Sequence, residues 1–304
     1  MAETLQHNDW KGTTGGMPWM QRSLVHILGR IDQHVIYALL VIIVPFYMLF
    51  GHRGYLAQYH YFRQRHGLSP WRSFCMVYAN HYRFGQIIID RFAVYGGRQF
   101  RLEMEGYERW HELSQRPEGF MMVSSHTGNF ELCGYMLRSE NKNLSALVYM
   151  GETETVMQNR QRVFTSNNIK MVPVMSDMSH IFVLNNALAD GEIVSMPGDR
   201  IFGSQKYITC TLLGAEAKLP AGAYTMAVAR DCALMAVFVM KKDWQTYQVI
   251  IRDVSAVLDS LPADVASQKA ARRQALAQRF ADEMTAVLRR YPTQWFNYYE
   301  FWEQ

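Results

Sequence analysis

The sequence predicts an α/β fold: a mixed, partly parallel sheet flanked by helices, preceded by an N-terminal membrane-associating helical region. Three observations carry this. After residue 97, short apolar runs rich in β-branched residues alternate with helical-period segments, the pattern of strands crossing over through helices. With 304 residues, 49% of them apolar, the chain has material for one substantial core plus an appendage. A run of 16 residues without a charge, "VIYALLVIIVPFYMLF" at 35–50, sits in the appendage. The expected division is 1–97 for the helical, membrane-anchoring region and 98–304 for the α/β domain.

The N-terminal run is slightly short of the roughly 20 residues that a spanning helix needs. It starts too late for a cleavable leader, and no small-residue cleavage site follows it. A short spanning or embedded anchor, a helix lying in the interface and a buried helix remain open, and Pro45 is expected to kink or end the helix. Charge is uneven. Residues 1–100 hold ten Lys/Arg against four Asp/Glu, and the remainder 21 against 23. Nine of those ten N-terminal cations are Arg, interleaved with aromatic rings, which suits an anionic lipid surface. Arg22 and Arg30 precede the run, and Arg53, Arg63, Arg65 and Arg72 follow it. That excess places the bulk of the chain on the cytoplasmic side. Nucleic acid also attracts basic, aromatic segments, but the apolar run in the middle argues against it. The four cysteines, Cys75, Cys133, Cys210 and Cys232, form no metal-ligand spacing and read as reduced, buried apolar side chains.

Along the chain, 71–95 has a helical period, and Phe100, Leu102 and Met104 alternate as in a strand. A short helix covers 110–115, a buried strand 120–124, and a helix begins at Phe130. Strands follow at 144–150, in "KMVPVM", in "EIVSMPGD", in "ALMAVFVMK" and in "YQVIIRDV". Helices are expected at 152–164, 180–189, 219–231 and 266–291, the last amphipathic with a basic face.

The chemistry concentrates in "SSHTGNFE" (124–131), a polar interruption between strand and helix. His126 and Glu131 are five residues apart. In one straight helix they would point about 140° apart. With His126 in the loop and Glu131 in the first helical turn they can pair, Gly128 giving the backbone freedom and Thr127 or Asn129 capping the helix. A carboxylate on one ring nitrogen fixes the tautomer and leaves the other as a base. No nucleophile elbow accompanies the pair, so the proton would come from the substrate itself, by direct acyl transfer without an acyl-enzyme. An ordinary capped helix start is the bland alternative.

This block resembles the His-x4-Asp/Glu block of the lipid A biosynthesis acyltransferases, within the wider lysophospholipid and glycerolipid acyltransferase group. "WKGTTGG" (10–16) before the hydrophobic run, "LADGEIVSMPGDRIFG" ending in Asp199, the stretch "TLLGAEAKLPAGAYTMAVARDCALMAVFV" and the aromatic tail "YPTQWFNYYEFW" are similar to further family blocks, in order. The resemblance implies a glycerolipid-acyltransferase-like fold and a bacterial inner-membrane enzyme on the cytoplasmic face. It implies transfer of a fatty acyl chain from an acyl-carrier-protein or coenzyme A thioester to a hydroxyl of a membrane lipid, with no metal and no cofactor beyond that co-substrate. Carried over by position, His126 is the base and Glu131 its partner. Asn129 and Gly128 belong to the same block and Asp199 to the second, all three candidates for substrate binding, with the Gly128 N–H a candidate oxyanion donor and a cap or turn former the alternative for Asp199. Arg160, Arg162 and Arg200 are candidates for substrate binding, each with a structural cation as the alternative. Phe202, Gly203, Gly214, Pro220 and Gly222 match as backbone shapers. Competing expectations are O-acyl transfer to an amino-acid or aryl-polyene lipid, hydrolysis by the same pair, and a scaffold without catalysis.

Overall fold

The computed structural model describes residues 32–50, 52–132, 141–149, 151, 154–175, 177–201 and 206–303. The block at 10–16, Arg22, Arg30, Cys133, Phe202 and Gly203 lie outside these residues.

Helix α1 (Gln33–Phe50) presents a narrow buried stripe, Gln33, Tyr37, Val44 and Met48, at helical spacing. Its other faces carry exposed Val35, Leu39, Ile42, Phe46 and Leu49. The helix runs on through Pro45 to Phe50, so the proline does not end it. No single helix among the described residues is long and apolar enough to cross a membrane. Together with the bent segment up to Arg65, α1 passes that test on length and composition alone.

Helix α2 (His52–His60) runs into a π-turn over Tyr61–Arg65. Helix α3 (Pro70–Tyr95) starts with Pro70 in its first turn and Ser69 accepting the Arg72 N–H at 3.4 Å. It buries an unusual number of polar side chains, Asn80, His81, Gln86, Asp90 and Arg91. Buried polar groups need partners: Asn80, Asp90 and Arg91 find theirs across in the α/β domain, while His81 bonds Val77 O and Gln86 accepts from Arg83 within the helix. Asn80 Nδ2, for example, donates to Trp295 O at 3.0 Å. Helix α3 lies before residue 98 yet packs as part of the α/β core.

The sheet holds seven strands in the order β1-β9-β8-β2-β5-β3-β4. They are β1 (Arg101–Glu105), β2 (Phe120–Gly128), β3 (Leu144–Val148), β4 (Ile169–Pro173), β5 (Ile193–Pro197), β8 (Leu234–Lys241) and β9 (Thr246–Asp253). Every pairing is parallel except β8 with β9. Such strands are covered on both faces, which explains why β8 is buried at all eight positions. Alternate residues serve two cores. Met121, Val123, Ala236 and Phe238 join one, and Phe120, Met122, Met235 and Val237 the other. Helices α4 (Tyr107–Gln115), α5 (Glu154–Thr165), α6 (Ser179–Ala189), α7 (Gly222–Arg230), the short α8 (Ala263–Ala266) and the long α9 (Lys269–Arg290) complete the domain.

Two expectations change. The helix expected over 219–231 begins only at Gly222, because the preceding stretch forms a separate hairpin, β6 (Tyr207–Leu212) with β7 (Ala215–Pro220). Leu213 and Gly214 both have positive φ, 50° and 79°, the geometry of a tight two-residue hairpin turn. Side chains of α9 cap the edge of β6: Gln278 accepts from Thr211 N at 2.9 Å and donates to Thr211 O at 3.0 Å. Second, Cys75 is exposed, unlike Cys210, whose burial pushes its thiol up to about 12.

Candidate active site

The site forms at the C-terminal ends of β2 and β5, neighbouring parallel strands, where open α/β sheets leave a crevice for ligands. Strand β2 does not stop at Ser124, as the sequence suggests, but continues to Gly128 through a bulge. Ser124 pairs with Val237 and Gly128 with Val239, so four steps along β2 match two along β8. The surplus makes 125–127 arch off the sheet, a device that re-aims a side chain. Ser125 Oγ and Thr127 Oγ1 hydrogen-bond at 2.8 Å across the arch. Gly128 re-enters the sheet at φ +54°, and a Cβ there would lie 2.0 Å from Val239 O. Only glycine fits, which gives that position a packing reason of its own.

The arch carries His126. Its Nδ1 lies 2.8 Å from Asp199 Oδ1, and its backbone N–H donates to Asp199 Oδ2 at 2.9 Å. One carboxylate therefore holds both the ring and the loop under it. Asp199 is fully buried, while the His126 side chain is 25% exposed. With Nδ1–H donated to the carboxylate, Nε2 keeps its lone pair, and among the described residues nothing bonds it. Burial holds the His126 imidazole below its ordinary pKa. Arg200 adds to that, and Asp199 pulls it back up. Burial alone would raise the Asp199 carboxyl, but His126 and Arg200 outweigh it and hold it below the usual carboxylate range.

Glu131 has a different role from the one its spacing suggested. It sits in the helical turn that starts at Phe130, 4% exposed, and its oxygens face Arg91 Nε at 3.1 Å, the Tyr95 hydroxyl at 3.1 Å and the Arg160 guanidinium. Arg91 and Arg160 outweigh the effect of burial and keep the carboxyl below its ordinary value. The expected His126–Glu131 pair is thus corrected. The acid on the imidazole is Asp199, and Glu131 ties α3 and α5 to the end of β2. The reason is the bulge: it turns His126 toward β5 while Glu131 faces the helices.

The other candidates fall into place around these two groups. Arg160 belongs to the Glu131 cluster and is buried. Arg162 donates to Tyr95 O at 2.9 Å and to Asn159 Oδ1 at 3.2 Å, touching neither His126 nor Asp199. Asn129, 1% exposed, donates from Nδ2 to the Tyr247 hydroxyl at 3.4 Å. Arg200 donates to Phe296 O at 2.7 Å and lies 5.9 Å from the Tyr299 ring centre. The aromatic tail is part of the site's frame. Thr127 bridges Trp295, and Phe296 N–H donates to His126 O at 3.3 Å. Arg91 and Tyr95 were absent from the sequence-derived set. The signal for them was present in "IIIDRFAVY", where two charges interrupt an apolar helix and so must meet buried partners.

A search of the curated proteins finds no match. Among solved structures, the 1-acyl-sn-glycerophosphate (LPA) acyltransferase PlsC from Thermotoga maritima aligns over 84% of this chain and 98% of its own at 11% identity, with a TM-score of 0.35. The family model "Bacterial lipid A biosynthesis acyltransferase" matches residues 83–303, from the middle of α3 through the aromatic tail. The chain belongs to the bacterial lipid A biosynthesis acyltransferase family and is a lipid acyltransferase.

Proposed function

We propose that the protein moves a fatty acyl chain from an acyl-carrier-protein or coenzyme A thioester to a hydroxyl of a membrane lipid acceptor of the lipid A precursor type. The reaction takes place at the cytoplasmic face of a bacterial inner membrane. The observation that supports it best is the His126 imidazole, held at Nδ1 by buried Asp199, with Nε2 unbonded among the described residues, at the C-terminal end of the sheet's central strand. His126 Nε2 takes the acceptor's hydroxyl proton as that oxygen attacks the thioester carbonyl. The C–O bond forms, the C–S bond breaks, and the imidazolium returns the proton to the departing thiolate. Asp199 fixes the tautomer and balances the transient positive charge. The lowered basicity of His126 keeps the ring neutral, and so competent, at neutral pH. Glu131 acts one layer out, by fixing the segment that carries the base. The exposed apolar faces of α1 support contact with lipid on the acceptor's side.

The test is mass spectrometry of lipid-extract vesicles incubated with purified protein and either acyl-CoA or acyl-carrier-protein thioester. One lipid should gain one acyl mass, and the better donor identifies the carrier. An amino-acid or aryl-polyene lipid gaining the chain would reassign the acceptor. Thioester consumed equally fast without any acceptor would make the protein a hydrolase and overturn the proposal.

A further inference from the structure

Behind the site lies a second buried polar cluster that the transfer step does not use. Its centre is Asp90 on α3, with no exposed surface. One carboxylate oxygen accepts from Gln33 Nε2 and the Tyr37 hydroxyl, both on the buried stripe of α1. The other accepts from Lys241 Nζ at 2.5 Å and from the Tyr247 hydroxyl. Lys241 is sealed at the end of β8 among the rings of Tyr37, Phe100 and Tyr247, 4.8 to 5.5 Å from their centres. A Lys with no exposed side chain is rare and needs its counter-charge.

The cluster continues to the catalytic segment by two routes. Tyr247 accepts from Asn129, which is followed by Phe130, whose ring lies 5.1 Å from that of His126. Arg91, the residue after Asp90, and Tyr95, one turn on, hold Glu131. Lys241 is also pinned through its backbone. Gln294 exchanges two 2.8 Å hydrogen bonds with it, next to the Trp295 that bridges Thr127. Helix α1, whose remaining faces carry exposed apolar side chains, is thus joined through Asp90, Tyr247 and Asn129 to the segment carrying the base.

We propose that Asp90 couples the seating of α1 on a lipid surface to the geometry of the 126–131 segment, with Tyr37, Lys241 and Tyr247 as positioning residues. This rests on the catalytic reading of His126 given above. A chain of groups sharing one buried carboxylate has few alternative arrangements, because each lost donor leaves charge uncompensated. Lifting or rotating α1 takes Tyr37 and Gln33 off one oxygen. The carboxylate then rebalances onto Lys241 and Tyr247, and Asn129 loses its fixed partner.

Tyr37→Phe removes one hydroxyl and leaves the ring. With lipid-extract vesicles as acceptor and acyl-CoA as donor, it should lower kcat about tenfold and leave the thioester KM within about twofold, the signature of a lost geometry rather than lost binding. Co-sedimentation with the same vesicles should be unchanged. Tyr247→Phe should have a similar effect, and the double variant should lose clearly less than the product of the two single losses, since both hydroxyls act through the same Asp90 carboxylate. Normal kcat in Tyr37→Phe, multiplying effects in the double variant, or a rate loss that tracks lost sedimentation would each overturn the coupling and leave α1 a plain anchor. His126→Ala runs alongside. If it keeps turnover, the catalytic reading fails and the coupling with it. If it is inactive while Tyr37→Phe is normal, only the coupling fails.

Discussion

Two buried carboxylates serve the same segment in different ways: Glu131 is the last residue of the block 124–131, and Asp199 lies just past the end of the neighbouring strand β5. Asp199 has no exposed surface but faces a partner that titrates, and that partner is open to solvent on its other side. Glu131 is just as deep, yet its oxygens are occupied by two guanidinium groups that never titrate and by a phenol. An acid beside a titratable, accessible group can manage a proton. An acid saturated by permanent cations can only hold structure. The difference assigns chemistry to the first and cohesion to the second, and it is open to direct attack.

The largest effect belongs to the ring. His126→Ala should lower turnover on the order of 10³- to 10⁴-fold. It also takes the ring off buried Asp199, so the urea midpoint should fall, by less than in Glu131→Ala because the backbone N–H of residue 126 still donates to that carboxylate. Asp199→Asn should come next, with a loss of about 10²- to 10³-fold in kcat, since the base remains but its tautomer and orientation are no longer imposed. Equal, small losses in both variants would break the assignment.

Glu131→Ala sharpens the other side. It leaves Arg91 and Arg160 buried without their shared counter-charge, so the expected loss is about 3 to 5 kcal/mol of stability, read from urea unfolding. Below its own transition, kcat should fall by no more than about tenfold. A Glu131→Ala protein as stable as the parent and as inactive as His126→Ala would restore the carboxylate to the chemistry.

The sequence made the sheet legible because parallel strands buried on both faces read as unbroken apolar runs, as in "ALMAVFVMK" and "FMMV". It located the site by the polar interruption after such a run. What it could not supply was the partner. His-x4-Glu places two groups near each other along the chain, but the bulge between Ser124 and Gly128 decides which way each points, and no residue pattern announces it. The acid that reaches the ring lies 73 positions away, brought there by strand adjacency of β2 and β5. The β6–β7 hairpin was hidden for another reason: its turn, Leu213–Gly214, puts a leucine at positive φ, a position that sequence rules reserve for Asn, Asp or Gly.

The smallest effect tests the electrostatics around the ring. The reaction needs neutral His126, so kcat/KM should rise with pH through its pKa and then level off, with the midpoint below the ordinary imidazole value because burial and Arg200 disfavour the imidazolium. Removing the Arg200 charge relieves one of those causes. In Arg200→Gln the acidic limb should move to higher pH by a few tenths of a unit to about one unit, with less effect on the plateau. Asp199→Asn should move the limb the other way, since that carboxylate favours the charged ring. Arg200→Lys separates field from frame: it keeps the positive charge but gives up the guanidinium geometry on Phe296 O, so the limb should stay while thermal stability falls. If the limb ignored Arg200→Gln and Asp199→Asn alike but followed Glu131→Gln, the titrating pair would be the one that spacing alone suggested, and the roles of the two carboxylates would have to be exchanged.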